Sequence, residues 1–290
     1  MSTLVSLPST SVGLGLRPVH YADACGDLAR TVDYYEVIAD NFLGDAETPR
    51  GWLERLRRDK PIVLHGVGLN LLGHEPLDET YLARLRDLAD WLEAPYVTDH
   101  LCWTGSHGLR HHDLLPLPHT EDLVVMAAAR ARHVQERLRR PFGLENLSSY
   151  ISFRTSTLSE WDFYSRVVAE SGCYAMLDIN NVYVSCHNHG WDAIQYLSGV
   201  NFDRVLQVHL AGHEELASGG LVDTHNRAVS SPVWDLYRYV WEAHGPFPTL
   251  LEWDDSIPSF ETLVTELNRA KVVRGDMVPA DMVPAKVVRA

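Results

Sequence analysis

Short apolar runs alternate along this chain with longer stretches in which apolar residues recur every three or four positions. The short runs begin at Ser11 ("SVGLGLRP"), Tyr34 ("YYEVIAD"), Pro61 ("PIVLHGVGL"), Tyr96 ("YVTDHLCW"), Phe142 ("FGLENLS"), Tyr174 ("YAMLDINNV"), Val205 ("VLQVHLAGH") and Pro248 ("PTLLEWD"). Nearly continuous apolar character, rather than strict alternation, marks strands covered on both faces, as in a parallel sheet. Between the runs, Leu82, Leu85, Leu88 and Leu92 fall on one face of a helix predicted from Asp78 to Glu93. A second helix is predicted from a capping Thr120 to Arg140, where Pro141 stops it, and Ser231 to His244 and Ser259 to Ala270 follow the same pattern. Eight strands alternating with helices are the number that closes an α/β barrel of the (β/α)8, or TIM, type. An open doubly wound sheet competes, but "GLG" at Gly13 lacks the rest of its G-x-G-x-x-G nucleotide fingerprint.

Length agrees with one such domain, since a barrel of this kind takes about 250 residues and the chain has 290. The barrel is expected over residues 1–270. The remainder, 271–290, repeats "DMVPA" between two copies of "KVVR" and reads as a low-complexity, flexible tail. A net charge of −14 argues against a nucleic-acid partner held through its phosphates. Cys25, Cys102, Cys173 and Cys186 show no C-x-x-C spacing and do not form a disulfide scaffold; Cys102 reads as a core residue. The N-terminus lacks a basic segment followed by an apolar one, and no apolar run is long enough to span a bilayer, so the expectation is a cytoplasmic protein with no membrane partner.

What changes the picture is the polar residue at the end of six of the strands. In order these are His65, His100, Glu145, Asp178 with Asn181, His209 and Glu252, and the loop after the seventh strand adds Asp223 and His225 in "VDTH". Barrel active sites lie at the carboxyl ends of the strands, and in an extended segment residues i and i+2 face the same way. A single buried histidine or glutamate is usually a paired core residue. Nine such residues at one end of the barrel are harder to explain that way. Four carboxylates packed together repel and raise one another's pKa values, and divalent ions neutralise them, which points to a multinuclear metal centre. Imidazoles and carboxylates without thiolate suit zinc, iron or manganese, and the oxygen-rich share tilts the set toward iron or manganese.

The segments "DHLCW", "LENLSSY", "LDINNVYVSCHNHG", "QVHLAGH", "VDTH" and "LLEWD" are together similar to the multinuclear non-haem iron-dependent oxidative enzymes, a family that includes the oxidase of methanobactin maturation. The resemblance runs from about Gly13 to Leu267. More distantly, the ligand order resembles endonuclease IV and the xylose-isomerase-like barrels. The resemblance implies that His65, His100, Glu145, Asp178, Asn181, His209, Asp223, His225 and Glu252 bind two or three ions of mixed Fe(II)/Fe(III) state, with Glu145 as a bridge. It also implies a ribosomally made precursor peptide as substrate, oxidised with O2, commonly at cysteine, and a separate precursor-recognition protein as partner. Asn181 stands where the endonuclease pattern has histidine, which weakens a hydrolytic reading. A zinc- or manganese-dependent hydrolase or isomerase and a non-catalytic metal-binding module remain the alternatives. Asp254, two residues past Glu252, is a candidate base. Asp99 and Asn146 are candidates for holding ligands from behind, and Trp103 and Trp253 for sheltering the pocket.

Overall fold

The computed structural model describes residues 6–44, 50–106 and 109–276. Its centre is a closed ring of eight parallel strands, one from each apolar run: β1 (Val12–Gly15), β2 (Tyr34–Ile38), β3 (Ile62–Gly66), β4 (Val97–His100), β5 (Phe142–Glu145), β6 (Tyr174–Asp178), β7 (Val205–Leu210) and β8 (Thr249–Leu251). Each strand pairs with its neighbour in sequence, and β1 closes on β8 through Val12↔Thr249, Gly13↔Leu250 and Leu14↔Leu251. The chain is therefore the single (β/α)8 barrel that the pattern predicts.

Two apolar bodies hold it. The larger lies between strands and helices, where the outward side chains of the strands meet helical leucines and valines. The smaller is inside the ring, where Tyr34, Val63, Tyr96 and Leu250 plug the end at which the strands begin. Gly13 makes room for this plug, because a Cβ there would stand 2.5 Å from the Tyr34 ring. Towards the other end of the ring the interior turns polar, and the candidate site lies there.

The helices start where side chains can cap them. Asp78 accepts from the amides of Thr80 and Tyr81 ahead of α1 (Glu79–Leu92). Thr120 accepts from Leu123 ahead of α2 (Glu121–Leu138), and Ser259 from Thr262 ahead of the last helix, Phe260–Val273. The helix Ser231–His244 follows Ser230, whose hydroxyl makes no capping bond. Arg140, one of a run of basic residues near the end of α2, is buried, and its guanidinium donates to the carbonyls of Ala89 and Ala94, satisfying the end of α1. The boundary expected at residue 270 falls inside the last helix, where Lys271 donates to the carbonyl of Thr31. The repeated "DMVPA" lies outside the described residues. Two short antiparallel hairpins interrupt the βα rhythm beyond strand ends: Trp103–Ser106 with Leu109–Leu115 after β4, and Glu214–Glu215 with Leu221–Val222 after β7. No described helix is long and apolar enough to cross a membrane.

The interior plug makes a measurable demand. Gly13→Ala should destabilise the fold by about 1–3 kcal/mol through overpacking against Tyr34. Gly51→Ala, at an exposed helical position with nothing within 4 Å of the added carbon, should be neutral or slightly stabilising; urea unfolding of both variants checks the pair.

Candidate metal centre

Parallel pairing sets the polar strand ends side by side. His100 of β4 is the register partner of Glu145 of β5, and Asp178 of β6 is the partner of His209 of β7. The sixth strand ends abruptly because Asp178 changes role: one oxygen, Oδ1, caps the helix Ile179–His189 by accepting from the Asn181 amide at 2.7 Å. Its other oxygen, Oδ2, is buried with no hydrogen-bond partner. The same first helical turn places Asn181, whose Nδ2 donates to the Asn146 carbonyl (3.0 Å) and to Glu145 Oε1 (3.3 Å). That leaves the amide oxygen, Oδ1, buried and unpartnered. His187 and His189, which follow in the same segment, point elsewhere: His187 bonds the Gly219 carbonyl and His189 the Ser149 hydroxyl.

The nine predicted residues converge. His65, His100, Glu145, Asn181, Asp223, His225 and Glu252 line one cavity of about 220 Å³, and Asp178 and His209 lie buried beneath it. Three trios each bring their ligand atoms within 4.8 Å of one another: His65, His100 and Glu145; Glu145, Asp178 and His209; and Asp178, His225 and Glu252. Glu145 belongs to two of them, as does Asp178, so the trios overlap as a chain.

Several of these atoms are close without hydrogen-bonding. Glu145 Oε2 stands 2.9 Å from His100 Nε2 and 3.2 Å from His65 Nε2, and His225 Nε2 stands 2.6 Å from Asp223 Oδ1. Yet Glu145 Oε2 and His225 Nε2, like Asp178 Oδ2 and Asn181 Oδ1, have no correctly angled partner among the described residues. Buried polar atoms without partners are rare and costly. Four gathered in one pocket fit a set of cations. The donor set of imidazole, carboxylate and carboxamide suits a first-row transition metal.

The far side of each ring is also fixed. His100 Nδ1–H donates to the Gly66 carbonyl (3.2 Å), and His65 Nδ1 meets Thr98 Oγ1 (2.8 Å), whose own proton goes to the Leu64 carbonyl. Both rings therefore turn Nε2 inward. His225 Nδ1–H faces Asp254 Oδ2 at 3.2 Å and turns Nε2 inward as well. His225 adopts a left-handed backbone (φ 45°), a conformation that costs a non-glycine residue energy and often marks a functional position. Asp223 is held by Asn180 Nδ2 (2.7 Å) on one oxygen and by the Ser148 hydroxyl (3.2 Å) on the other.

Of the supporting residues, Asn146 clamps two strand ends, accepting from the Asp178 amide and donating to its carbonyl. Asp99 is buried and accepts from the amides of His100 and Leu69. Asp254 sits half-exposed on the rim, with Oδ1 on Arg17 and Oδ2 on His225, so neither oxygen is idle. The cavity wall is made by Ile38, Val67, Leu114 and Leu147. The expected tryptophans stand back from it: Trp253 is buried in the outer core and Trp103 packs against His111. Sequence reasoning missed Arg17, which also reaches Glu252 at 3.5 Å, and Glu36, a buried carboxylate in mid-strand beside His209. The charged residue inside the apolar run "YYEVI" was the available signal for Glu36.

Without metal, protons take the cations' place. Burial works against a charged His100, but Glu145 and Asp99 outweigh it and raise its pKa to about 9. His209, between Glu36 and Glu252, and His225, beside Asp223, are raised well above the usual imidazole range in spite of burial. Burial alone would raise the Glu145 carboxyl; His100 and His65 hold it low instead. Asp178 is pushed far up by burial and by Glu145, and Asp99 up to about 7 by burial, with Asp40 adding and His100 opposing.

A family model described as "RiPP precursor modification enzyme MbnB/TglH/ChrH" matches residues 11–274. A UPF0276 protein of Rhizorhabdus wittichii is 45% identical over 260 residues, covering 89% of this chain and 93% of that protein. Among solved structures, endonuclease IV from Thermus thermophilus superposes with a TM-score of 0.59 at 17% identity, over 92% of this chain and 100% of that one. A xylose isomerase domain protein from Planctomyces limnophilus gives 0.55 at 13% identity, over 92% and 96%. At such identities the last two establish a shared xylose-isomerase-like fold.

The proton-for-metal exchange predicts opposite pH behaviour of the two forms. His100 has a folded pKa of about 9 against an ordinary 6.5. A raised folded value means that its contribution to metal-free stability is complete below about pH 6.5 and is lost as pH rises through 9. His209 and His225 act in the same sense. The thermal midpoint of metal-free protein should therefore fall from pH 6.5 to 9. That of the metal-loaded protein should hold or rise, with protons released on loading; parallel calorimetry and proton-release titration check both.

Proposed function

The chain belongs to the RiPP precursor modification enzyme family MbnB/TglH/ChrH, whose members act on ribosomally made precursor peptides, and on that premise we propose that it is a multinuclear iron, O2-dependent oxidase that modifies such a peptide at a cysteine. The observation that carries the reading is the chain of overlapping trios, with three unpartnered buried atoms in them and a fourth, Asn181 Oδ1, beside them. His65, His100, Glu145, Asp178, Asn181, His209, Asp223, His225 and Glu252 would hold two or three ions, with Glu145 and Asp178 as shared ligands. Bound iron would supply electrons to O2 and an anchoring point for the substrate thiolate.

The protein's own residues do the positioning. The apolar wall of Ile38, Val67, Leu114 and Leu147 excludes water around an entering side chain, and the cavity of about 220 Å³ has room for one side chain rather than for an extended peptide. Recognition of the rest of the precursor then falls to a separate partner protein. Three of the chain's own cysteines do not compete as thiolates, because burial raises the thiol pKa of Cys102, Cys173 and Cys186. Asn181 contributes a neutral oxygen, so it adds a ligand without adding charge. Asp254, at the rim, would be the carboxylate to take a proton from the substrate. It can do so only by loosening Arg17 or His225, which makes its orientation of His225 the more direct effect. Asp99 and Asn146 act from behind, through the His100 and Asp178 backbones.

Purified protein should carry two or three equivalents of iron with a visible ferric absorption, and a co-expressed precursor peptide should show a mass change by mass spectrometry. His100→Ala and Glu145→Ala should each lose most of the metal and all of the modification while keeping the circular dichroism of the folded barrel. Full metal content and turnover in either variant, or full activity in a colourless zinc-loaded protein, would overturn the reading.

A further inference from the structure

His209 is set differently from the other three histidines of the centre. His65, His100 and His225 each tie up Nδ1 and turn Nε2 inward. In His209 it is Nδ1 that lies 3.2 Å from Glu252 Oε2, while Nε2 points down the barrel to Glu36, 3.2 Å from Oε1. Glu36 is only 2% exposed and does not line the cavity. Its other oxygen, Oε2, is hydrogen-bonded to the same Nε2 at 3.4 Å and also accepts from Gln207 Nε2 at 2.9 Å, and Gln207 Oε1 in turn accepts from the Tyr96 hydroxyl at 2.6 Å. A carboxylate is thus carried into the interior of a barrel and bonded there to the back of one ring.

Resting on the metal-centre reading above, we propose that Glu36 is a positioning residue. By accepting the Nε2 proton of His209, it fixes the tautomer that presents Nδ1 beside Glu252. The Gln207 amide nitrogen also lies 2.8 Å from Nε2, so the ring has two neutral states. It can accept from Gln207 with its proton on Nδ1, or donate to Glu36 with Nδ1 bare. A carboxylate acceptor makes the stronger bond, and only the second state gives Nδ1 a lone pair for a cation. Ligating histidines are commonly oriented by such a partner on their other nitrogen. Glu36, His209 and Glu252 are close enough to form a trio of their own, but both Glu36 oxygens already face donors, which assigns it to the support of the site and not to its ligands.

The test uses Zn(II) alone, as a diamagnetic probe, on the full chain. In the loaded wild-type protein, 15N–1H correlation of the imidazoles should show His209 metallated at Nδ1 and protonated at Nε2, the reverse of His65, His100 and His225. Competition against a chelator should show Glu36→Leu weakening one ion by about 10- to 100-fold, Glu36→Gln by less, and Tyr96→Phe by no more than about twofold. His209 metallated at Nε2, or Glu36→Leu binding the same number of ions with unchanged affinity, would overturn the inference. A merely structural Glu36 would lower the thermal midpoint of both variants without touching ion number or affinity. Should Glu36→Leu fail to fold, the wild-type tautomer decides alone. A wild-type protein that takes up no zinc and no iron would instead remove the metal-centre reading itself.

Discussion

Carboxylates and imidazoles buried at one end of a barrel repel, desolvate and strand one another unless something positive is shared among them. Glu145, Asp178 and Glu252 have almost no access to water, and Asp223 has little. The cost of burying even one unpaired carboxylate is several kcal/mol. In the metal-free chain, protons on His100, His209 and His225 meet part of that demand. Cations shared through Glu145 and Asp178 would meet it more completely, because they would also satisfy the lone pairs that protons leave without partners.

The barrel makes this concentration tolerable by separating two interiors. Tyr34, Val63, Tyr96 and Leu250 form a packed plug at the end where strands begin, and Gly13 is what lets the Tyr34 ring fit. Stability resides there and in the larger shell beneath the helices. The opposite end is then free to carry groups that would not hold a core together. Glu36 and Gln207 mark the transition, being polar residues in the middle of the ring whose bonds run upward to His209 and downward to Tyr96.

Economy of atoms recurs across the site. Asp178 starts a helix with one oxygen and offers the other to the centre. Asn181 fastens its helix to the end of β5 with its nitrogen and keeps its oxygen bare. Asp254 joins Arg17 to His225, and Ser148 and Asn180 hold Asp223 from either side. Such doubly anchored groups have few alternative rotamers, which is what a cluster of ions requires of its cage. At His225 this is achieved against local preference, in a left-handed backbone.

The order of elements was legible in the sequence because it depends on local periodicity. Continuous apolar runs mark the eight strands, and leucines every three or four residues with Asp78, Thr120 and Ser259 ahead of them mark helices and their caps. The polar residues at strand ends were legible for a similar reason: a histidine or carboxylate closing an apolar run is conspicuous by itself. Glu36 was not, because a glutamate in mid-strand looks the same whether it faces into the ring or out of it, and only closure of the barrel sets that parity. Nor could the chain report that Asp254 is taken up by Arg17, 237 residues away, or that aliphatic side chains rather than Trp103 and Trp253 wall the cavity. Composition and pattern determined which groups come to one end of the fold. Which atom of each group is left bare is decided by hydrogen bonds between residues distant in sequence, and those exist only once the ring has closed.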